Sequence, residues 1–149
     1  MTQNGFNPDK LLGENRWEEA LHQWTYSFPV SQLGIQLVSL LREITPADIH
    51  PLLGEMHQQY CQYDNARRWR IFEQAQKQEL NTPTGALALS LFWASGSMSP
   101  DDLPAVYPDP KLASQMLNCA VVMLAVGLGE NPVEGTRNLM MRCQPKETL

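Results

Sequence analysis

The residues able to do chemistry are few and widely spaced. His50 and His57 stand seven positions apart, two helical turns, so they could share one helix face, while His22 belongs to another segment. A zinc site wants three or four converging ligands, and no third ligand stands at a suitable offset. Cys61, Cys119 and Cys143 form no Cys-x-x-Cys pair. Cys119 and Cys143 fall in apolar stripes, where cysteine behaves as a small hydrophobe. A catalytic thiol at Cys61 would need a base beside it, and the sequence points to none. The run Ser95-Gly96-Ser97-Met98-Ser99 lacks both the second glycine and the preceding strand of a nucleophile elbow. Asp101, Asp102 and Asp109 do not follow the alternating pattern of a calcium loop. Arg67, Arg68 and Arg70, with Trp69 among them, form the single basic cluster. Arginine and tryptophan are enriched in binding hot spots. The competing reading is a solvated helix face, with Trp69 turned inward. No glycine-rich phosphate loop is present. These readings predict a chain that is not an enzyme and that carries no cofactor and no metal.

The elements that must position these residues are helical. Trp17, Ala20, Leu21, Trp24 and Phe28 make one apolar stripe, predicting a helix over about 15–27, with Asn15 as its cap. A second helix, 30–44, carries Leu33, Leu37, Leu40, Leu41 and Ile44 and stops at Thr45-Pro46. A short turn then leads into a third helix over 51–63, with Leu52, Leu53, Met56, Tyr60 and Tyr63 inward. A fourth follows Asp64-Asn65 and ends near Leu80. Its inward residues are Trp69, Phe72, Ala75 and Leu80, and Arg67, Arg68 and Arg70 are assigned to the wet side. Thr82-Pro83 starts a fifth helix, 83–94, which Gly96 ends in a left-handed conformation. Asp109-Pro110 and Asn131-Pro132 open the last two. Ser97 to Pro110 is an irregular stretch of about fourteen residues that holds four prolines, a loop length that is uncommon inside a compact domain and often functional. No segment reads as a strand. The fold expected is all-α, a single-domain orthogonal helical bundle of six or seven helices with one long proline-rich loop. Its helical domain spans 15–143, between a flexible N-terminal segment 1–14 and a flexible tail 144–149.

Composition narrows the setting. The 149 residues carry 11 basic and 16 acidic side chains, a formal net charge of -5, which argues against a nucleic-acid partner. The longest uninterrupted apolar run, 119–128, is well short of the ~20 residues of a membrane span. No secretory signal opens the chain. Three dispersed cysteines fit free thiols in a reducing cytoplasm.

Two stretches carry a likeness. One is Arg16-Trp17-Glu18-Glu19-Ala20-Leu21 with the Phe28-Pro29 break. The other runs Thr82-Pro83, Phe92-Trp93-Ala94-Ser95-Gly96-Ser97-Met98, Asp102-Leu103-Pro104 and Val106-Tyr107-Pro108, then a small-residue helix. From about Asn15 to Arg142 the chain resembles an uncharacterised family of small bacterial helical proteins, a domain of unknown function. That family has a Trp-Ser-Gly-Gly-Ser-like turn, a Leu-Pro-x-Val-x-Pro loop and a following Ala-rich helix, and some members are encoded near type VI secretion genes. The turn departs here, reading Ala94-Ser95-Gly96-Ser97. The resemblance brings no catalytic residue. It implies a bacterial, cytoplasmic accessory protein tied to a secretion system.

The function expected is therefore non-enzymatic protein–protein interaction: an adaptor, accessory or chaperone-like factor whose partner is a secretion component or effector. The expected contact residues are Met98, Leu103, Val106 and Tyr107 of the loop, with Arg67 and Arg70. A homodimer would bury further apolar helix surface. Two alternatives stand beside it. One is a small enzyme or ligand-binding domain whose site forms from His22, His57, Asp101 and Asp102. The other is an immunity protein or antitoxin.

Overall fold

The computed structural model of the chain describes residues 7–77, 79 and 81–144. Among them are eight α-helices and no strand: α1 (Pro8–Gly13), α2 (Trp17–Tyr26), α3 (Val30–Ile44), α4 (His50–Cys61), α5 (Asn65–Lys77), α6 (Pro83–Ala94), α7 (Lys111–Gly127) and α8 (Pro132–Arg142). A single 3-10 turn, Ala47–Ile49, leads into α4. The fold is the all-α, single-domain bundle that the periodicity predicts.

Helix α6 is the axis of the bundle. Nine of its twelve residues, Thr84 to Phe92, are buried. It has no wet face, as expected of a helix that is apolar all round and enclosed by others. Leucines at every second position, Leu87, Leu89 and Leu91, are accommodated because both sides of α6 meet protein. Its packing is most extensive against α7 and α5, with α3 and α4 completing the enclosure. Ser90, buried mid-helix, donates to the Ala113 carbonyl on α7 at 2.6 Å, so this enclosed hydroxyl is satisfied. The surrounding core is built from Leu21, Leu33, Leu37, Leu53, Met56, Ile71, Leu117 and Leu139, all at 1% exposure or less.

Proline and cap signals set the helix starts. The Thr82 side chain accepts from Gly85 N and that of Asn131 from Glu134 N, each followed by proline in the first turn. Asp109 accepts from Lys111 N at the entry to α7. Pro51, an apparent obstacle in the sequence, sits in the first turn of α4, where its missing N–H costs nothing.

The helix count is one above the upper expectation. Residues 8–13, expected inside a flexible segment 1–14, form α1. Asn7 caps it, and Leu11 and Leu12 are buried against Ala20, Trp17, Val133 and Met140. Arg137 on α8 pairs with Asp9 at 3.2 Å. Asn15, expected to cap α2, instead has φ 61 and turns the chain between α1 and α2, a conformation asparagine tolerates better than most residues. Residues 1–6 and 145–149 of the expected flexible ends lie outside the described residues, as does Leu80. Ile44 and Tyr63, expected inward, are exposed, and so is Cys119 on α7. No single helix is long and apolar enough to cross a membrane among the described residues.

Helices α7 and α8 meet at 115°, and two glycines at this junction behave oppositely. A Cβ on Gly135 would overlap the Ala125 carbonyl, whereas one on Gly127 would meet nothing within 4 Å. Gly135→Ala is expected to cost about 2–3 kcal/mol, the scale of overpacking in a rigid core. Gly127→Ala is expected to be neutral or to gain up to about 1 kcal/mol from helix propensity. Urea unfolding of the two variants checks this; equal midpoints would show that the α7–α8 contact is looser than drawn.

Candidate functional site

The side chain that organises the proline-rich loop belongs to α5. Arg68, assigned to the solvated face by its residue type, is 1% exposed. It shares the inward face of α5 with Ile71 and Ala75, at spacings of three and seven. Its Nε donates to the Phe92 carbonyl at 2.9 Å, in the last turn of α6. Carbonyls there have no onward helical N–H, and the helix dipole places partial negative charge on them. The guanidinium also lies over the Phe92 ring, 3.9 Å from its centroid, with Trp69 at 5.9 Å. Phe72 stacks on the other part of this aromatic group, 4.4 Å from Phe92. Arg68 therefore closes the C-terminus of α6 as a cation that is partnered by a helix end and an aromatic face. Burial lowers its pKa, with Tyr63 opposing that effect.

The loop begins where Arg68 ends. Gly96 has φ 83, in the left-handed region expected for it. A Cβ there would come within 2.8 Å of Arg68 Cζ and 2.7 Å of the Tyr63 hydroxyl. Both the backbone angle and the close approach require glycine at this point. Arg68 Nη1 donates to Asn65 Oδ1 at 3.1 Å, and the Tyr63 hydroxyl donates to the same oxygen at 3.1 Å. The Asn65 amide nitrogen then donates to Asp101 in the loop at 3.3 Å. One amide thus links a buried cation to a surface carboxylate.

Ser97 holds the loop together from within. Its hydroxyl oxygen accepts from Ser99 N at 2.9 Å and Val106 N at 2.8 Å, and its hydroxyl donates to the Val106 carbonyl at 3.2 Å. Met98 N donates to the same carbonyl at 2.6 Å. Residues 97–106 are thereby folded back on themselves. Between this loop and the α4–α5 connection lies a cleft of about 270 Å³, walled by Tyr63, Asn65, Gly96, Asp101, Leu103 and Tyr107 among others.

Of the residues expected to bind a partner, Leu103, Val106 and Tyr107 are exposed at 57%, 50% and 70%, and Met98 is exposed on the same loop. Leu103 and Tyr107 line the cleft. Arg67 and Arg70 are turned toward α4. Arg67 donates to the Gln62 carbonyl and to Gln59, and Arg70 pairs with Glu55 at 3.3 Å. The cluster is therefore split, its middle member facing the core. Asn65, Arg68 and Ser97 were not singled out as site residues; the spacing of Arg68 from Ile71 and Ala75 was the available signal.

The other candidates do not join this site. Among the described residues Asp101 lines the cleft, and His22, His57 and Asp102 are not among its walls. The His22 ring lies tilted against Tyr26, with centroids 4.4 Å apart, and His50 contacts the Thr45 carbonyl. One juxtaposition was missed: His57 Nδ1 lies 4.0 Å from Cys61 Sγ, one turn along the exposed face of α4. No group of three or more metal-ligating side chains is found among the described residues.

A family model described as a family of unknown function, DUF6931, matches residues 8–143. Neither the curated proteins nor the solved structures give a match.

Two measurements check this geometry. Gly96→Ala is expected to cost about 2 kcal/mol, from left-handed strain and from collision with Arg68. In an Arg68→Met background part of that cost is expected to vanish, giving a coupling on the order of 1 kcal/mol in a double-mutant cycle. Strict additivity would separate the two residues energetically. The second measurement is thiol labelling. Burial raises the Cys143 pKa to about 11, so at pH 8 this thiol is protonated as well as enclosed, while Cys61 and Cys119 are exposed. Iodoacetamide is expected to label Cys61 and Cys119 in the native protein, and Cys143 only after denaturant is added. Equal labelling of all three under native conditions would contradict the packing of the α8 terminus.

Proposed function

The chain belongs to DUF6931, a family of unknown function; we propose that it is a non-enzymatic protein–protein interaction module that docks through its α6–α7 loop. The observation that supports this reading most is the exposure of Met98, Leu103, Val106 and Tyr107 on a loop whose backbone is internally hydrogen-bonded. Exposed apolar side chains that form a contiguous patch mark interaction sites, whereas singly scattered ones do not. A loop already ordered loses less freedom on binding, which favours affinity. Tyrosine is among the residues most often found at the energetic centre of interfaces. We place Arg67 and Arg70 outside the contact, because each already has partners on α4 or at its end.

The setting we infer is the bacterial cytoplasm, with the chain an adaptor or accessory factor of a secretion system. The resemblance over Trp93 to Pro108 supports that setting, and the partner is then a secretion component or effector.

The test is affinity capture of the full-length chain from its native cell, compared with a variant carrying Leu103→Ser, Val106→Ser and Tyr107→Ser together. These side chains are exposed, so stability is expected to change by no more than about 0.5 kcal/mol per site. The partner recovered by the wild type is expected to fall on the order of tenfold with the triple variant and to persist with Arg70→Ala. Recovery of no partner, or unchanged recovery by the triple variant, would overturn the placement.

A further inference from the structure

We propose that Cys61 is a site of thiol–disulfide exchange, with His57 as its base and a small acidic disulfide, of the class of oxidised glutathione, as its co-reactant. The proposal is independent of the loop and of the docking reading. It begins with two exposed thiols that stand in unlike surroundings. Cys61 is the last residue of α4, and His57 Nδ1 lies 4.0 Å from its Sγ. Cys119 is exposed on α7, in a groove lined by Asn81, Met116, Asn118, Val122 and Met123. None of those five side chains carries a charge or takes a proton from a thiol. The attacking species in disulfide exchange is the thiolate, so a base beside the sulfur separates the first thiol from the second.

The charges around Cys61 select an acidic reagent. Gly54, His57 and Cys61 share one face of α4, at spacings of three and seven. Arg42 reaches that face from α3: a Cβ on Gly54 would stand 3.1 Å from its Nη2. The ion pairs among the described residues involve Arg16, Arg70, Arg137 and Arg142, so this guanidinium is not committed to a carboxylate. Gly54 is about 4.5 Å along the helix axis from His57 and about 10 Å from Cys61, a range over which salt screens only in part. At the other end, the terminal carbonyls of α4 carry partial negative charge, and Arg67 donates to the Gln62 carbonyl at 2.9 Å. The flanking acids are engaged elsewhere. Glu55 pairs with Arg70, and Asp64 accepts from Arg67 N at the start of α5. Oxidised glutathione, whose carboxylates outnumber its ammonium groups, fits this field.

The step balances between the two partners. In the tautomer that carries its proton on Nε2, His57 Nδ1 accepts the thiol proton as Cys61 Sγ attacks one sulfur of the disulfide. A new S–S bond joins Cys61 to that half, and the original S–S bond breaks. Its electron pair leaves on the other sulfur, which takes the proton from His57 and departs as a thiol. Cys61 is oxidised and the departing half is reduced. A free thiol of the same class reverses the step.

The experiment exposes the native full-length protein to excess oxidised glutathione at low salt and reads the mixed disulfide at each cysteine over time by peptide mass mapping. Cys61 is expected to react about tenfold faster than Cys119. His57→Gln is expected to bring the two rates within about twofold of each other. Arg42→Gln is expected to slow the reaction of Cys61 with oxidised glutathione about threefold, and not to slow its reaction with cystamine, a cationic disulfide. The readout is the ratio of Cys61 to Cys119 in one molecule, so a variant that loosens the whole fold does not imitate loss of the base. The proposal is overturned if Cys61 reacts no faster than Cys119, if His57→Gln leaves the ratio where it is, or if Arg42→Gln slows both disulfides alike. No partner protein enters these measurements, so their failure is distinct from failure of the loop to dock.

Discussion

The contact between the Arg68 guanidinium and the end of α6 fixes how the rest of the loop region is built. Helix α6 runs through the middle of the bundle, so its C-terminal carbonyls cannot all reach water, and an unsatisfied buried carbonyl is costly. Arg68 Nε meets the Phe92 carbonyl at 2.9 Å, and the cation lies on the Phe92 ring. The helix end supplies the partial negative charge that a buried cation needs. Each side compensates the other: α6 gains a cap from outside its own sequence, and Arg68 gains a counter-charge that is not an ion. The consequence passes to residue 96, where the guanidinium and the Tyr63 hydroxyl leave no volume for a side chain and the backbone must turn left-handed.

From that turn the loop inherits its shape. A segment of sixteen residues between two helices, 95–110, would ordinarily lose much freedom on ordering. Here two small polar side chains carry the order. Ser97 takes three hydrogen bonds across residues 97–106, and Asn65 ties Asp101 to the start of α5. Prolines at 100, 104, 108 and 110 reduce the freedom of the unfolded segment further. The apolar residues Leu103, Val106 and Tyr107 are therefore exposed without being loose.

Most helices were legible because local signals and tertiary packing agree. The bounds of α6 follow from Thr82-Pro83 and the Gly96 stop, and those of α3 from its leucine stripe and Thr45-Pro46. What escaped was decided by contacts remote in sequence. Helix α1 is six residues long, too short to display a period, and it is held by Trp17, Val133 and Met140. Arg68 was hidden by residue type, since arginine is seldom fully buried. The four-residue spacing of His57 and Cys61 was readable, but nothing local said that the two side chains would converge at 4.0 Å. The site followed the same division. The loop and its exposed apolar residues could be read from proline density and hydrophobicity. The floor beneath the loop could not, because it joins α5 to the end of α6 across twenty-four positions.

The split of the arginine cluster carries a broader physical point. Adjacent positions on a helix point roughly 100° apart, so 67, 68 and 70 cannot share one environment. Arg67 and Arg70 turn toward α4 and its polar edge, where Gln59, Gln62 and Glu55 receive them. Arg68 turns toward α6 and is enclosed. Three similar residues thus divide between two tasks, joining α4 to α5 at the surface and closing α6 from inside. The net acidity of the chain is compatible with a buried cation at its centre because long-range charge is screened by water, whereas the field at Arg68 is set by the helix end, the aromatic ring and the amide it touches. For that reason the electrostatic character of the loop cleft follows from these immediate neighbours, and a formal charge of -5 does not determine the sign of what can bind there.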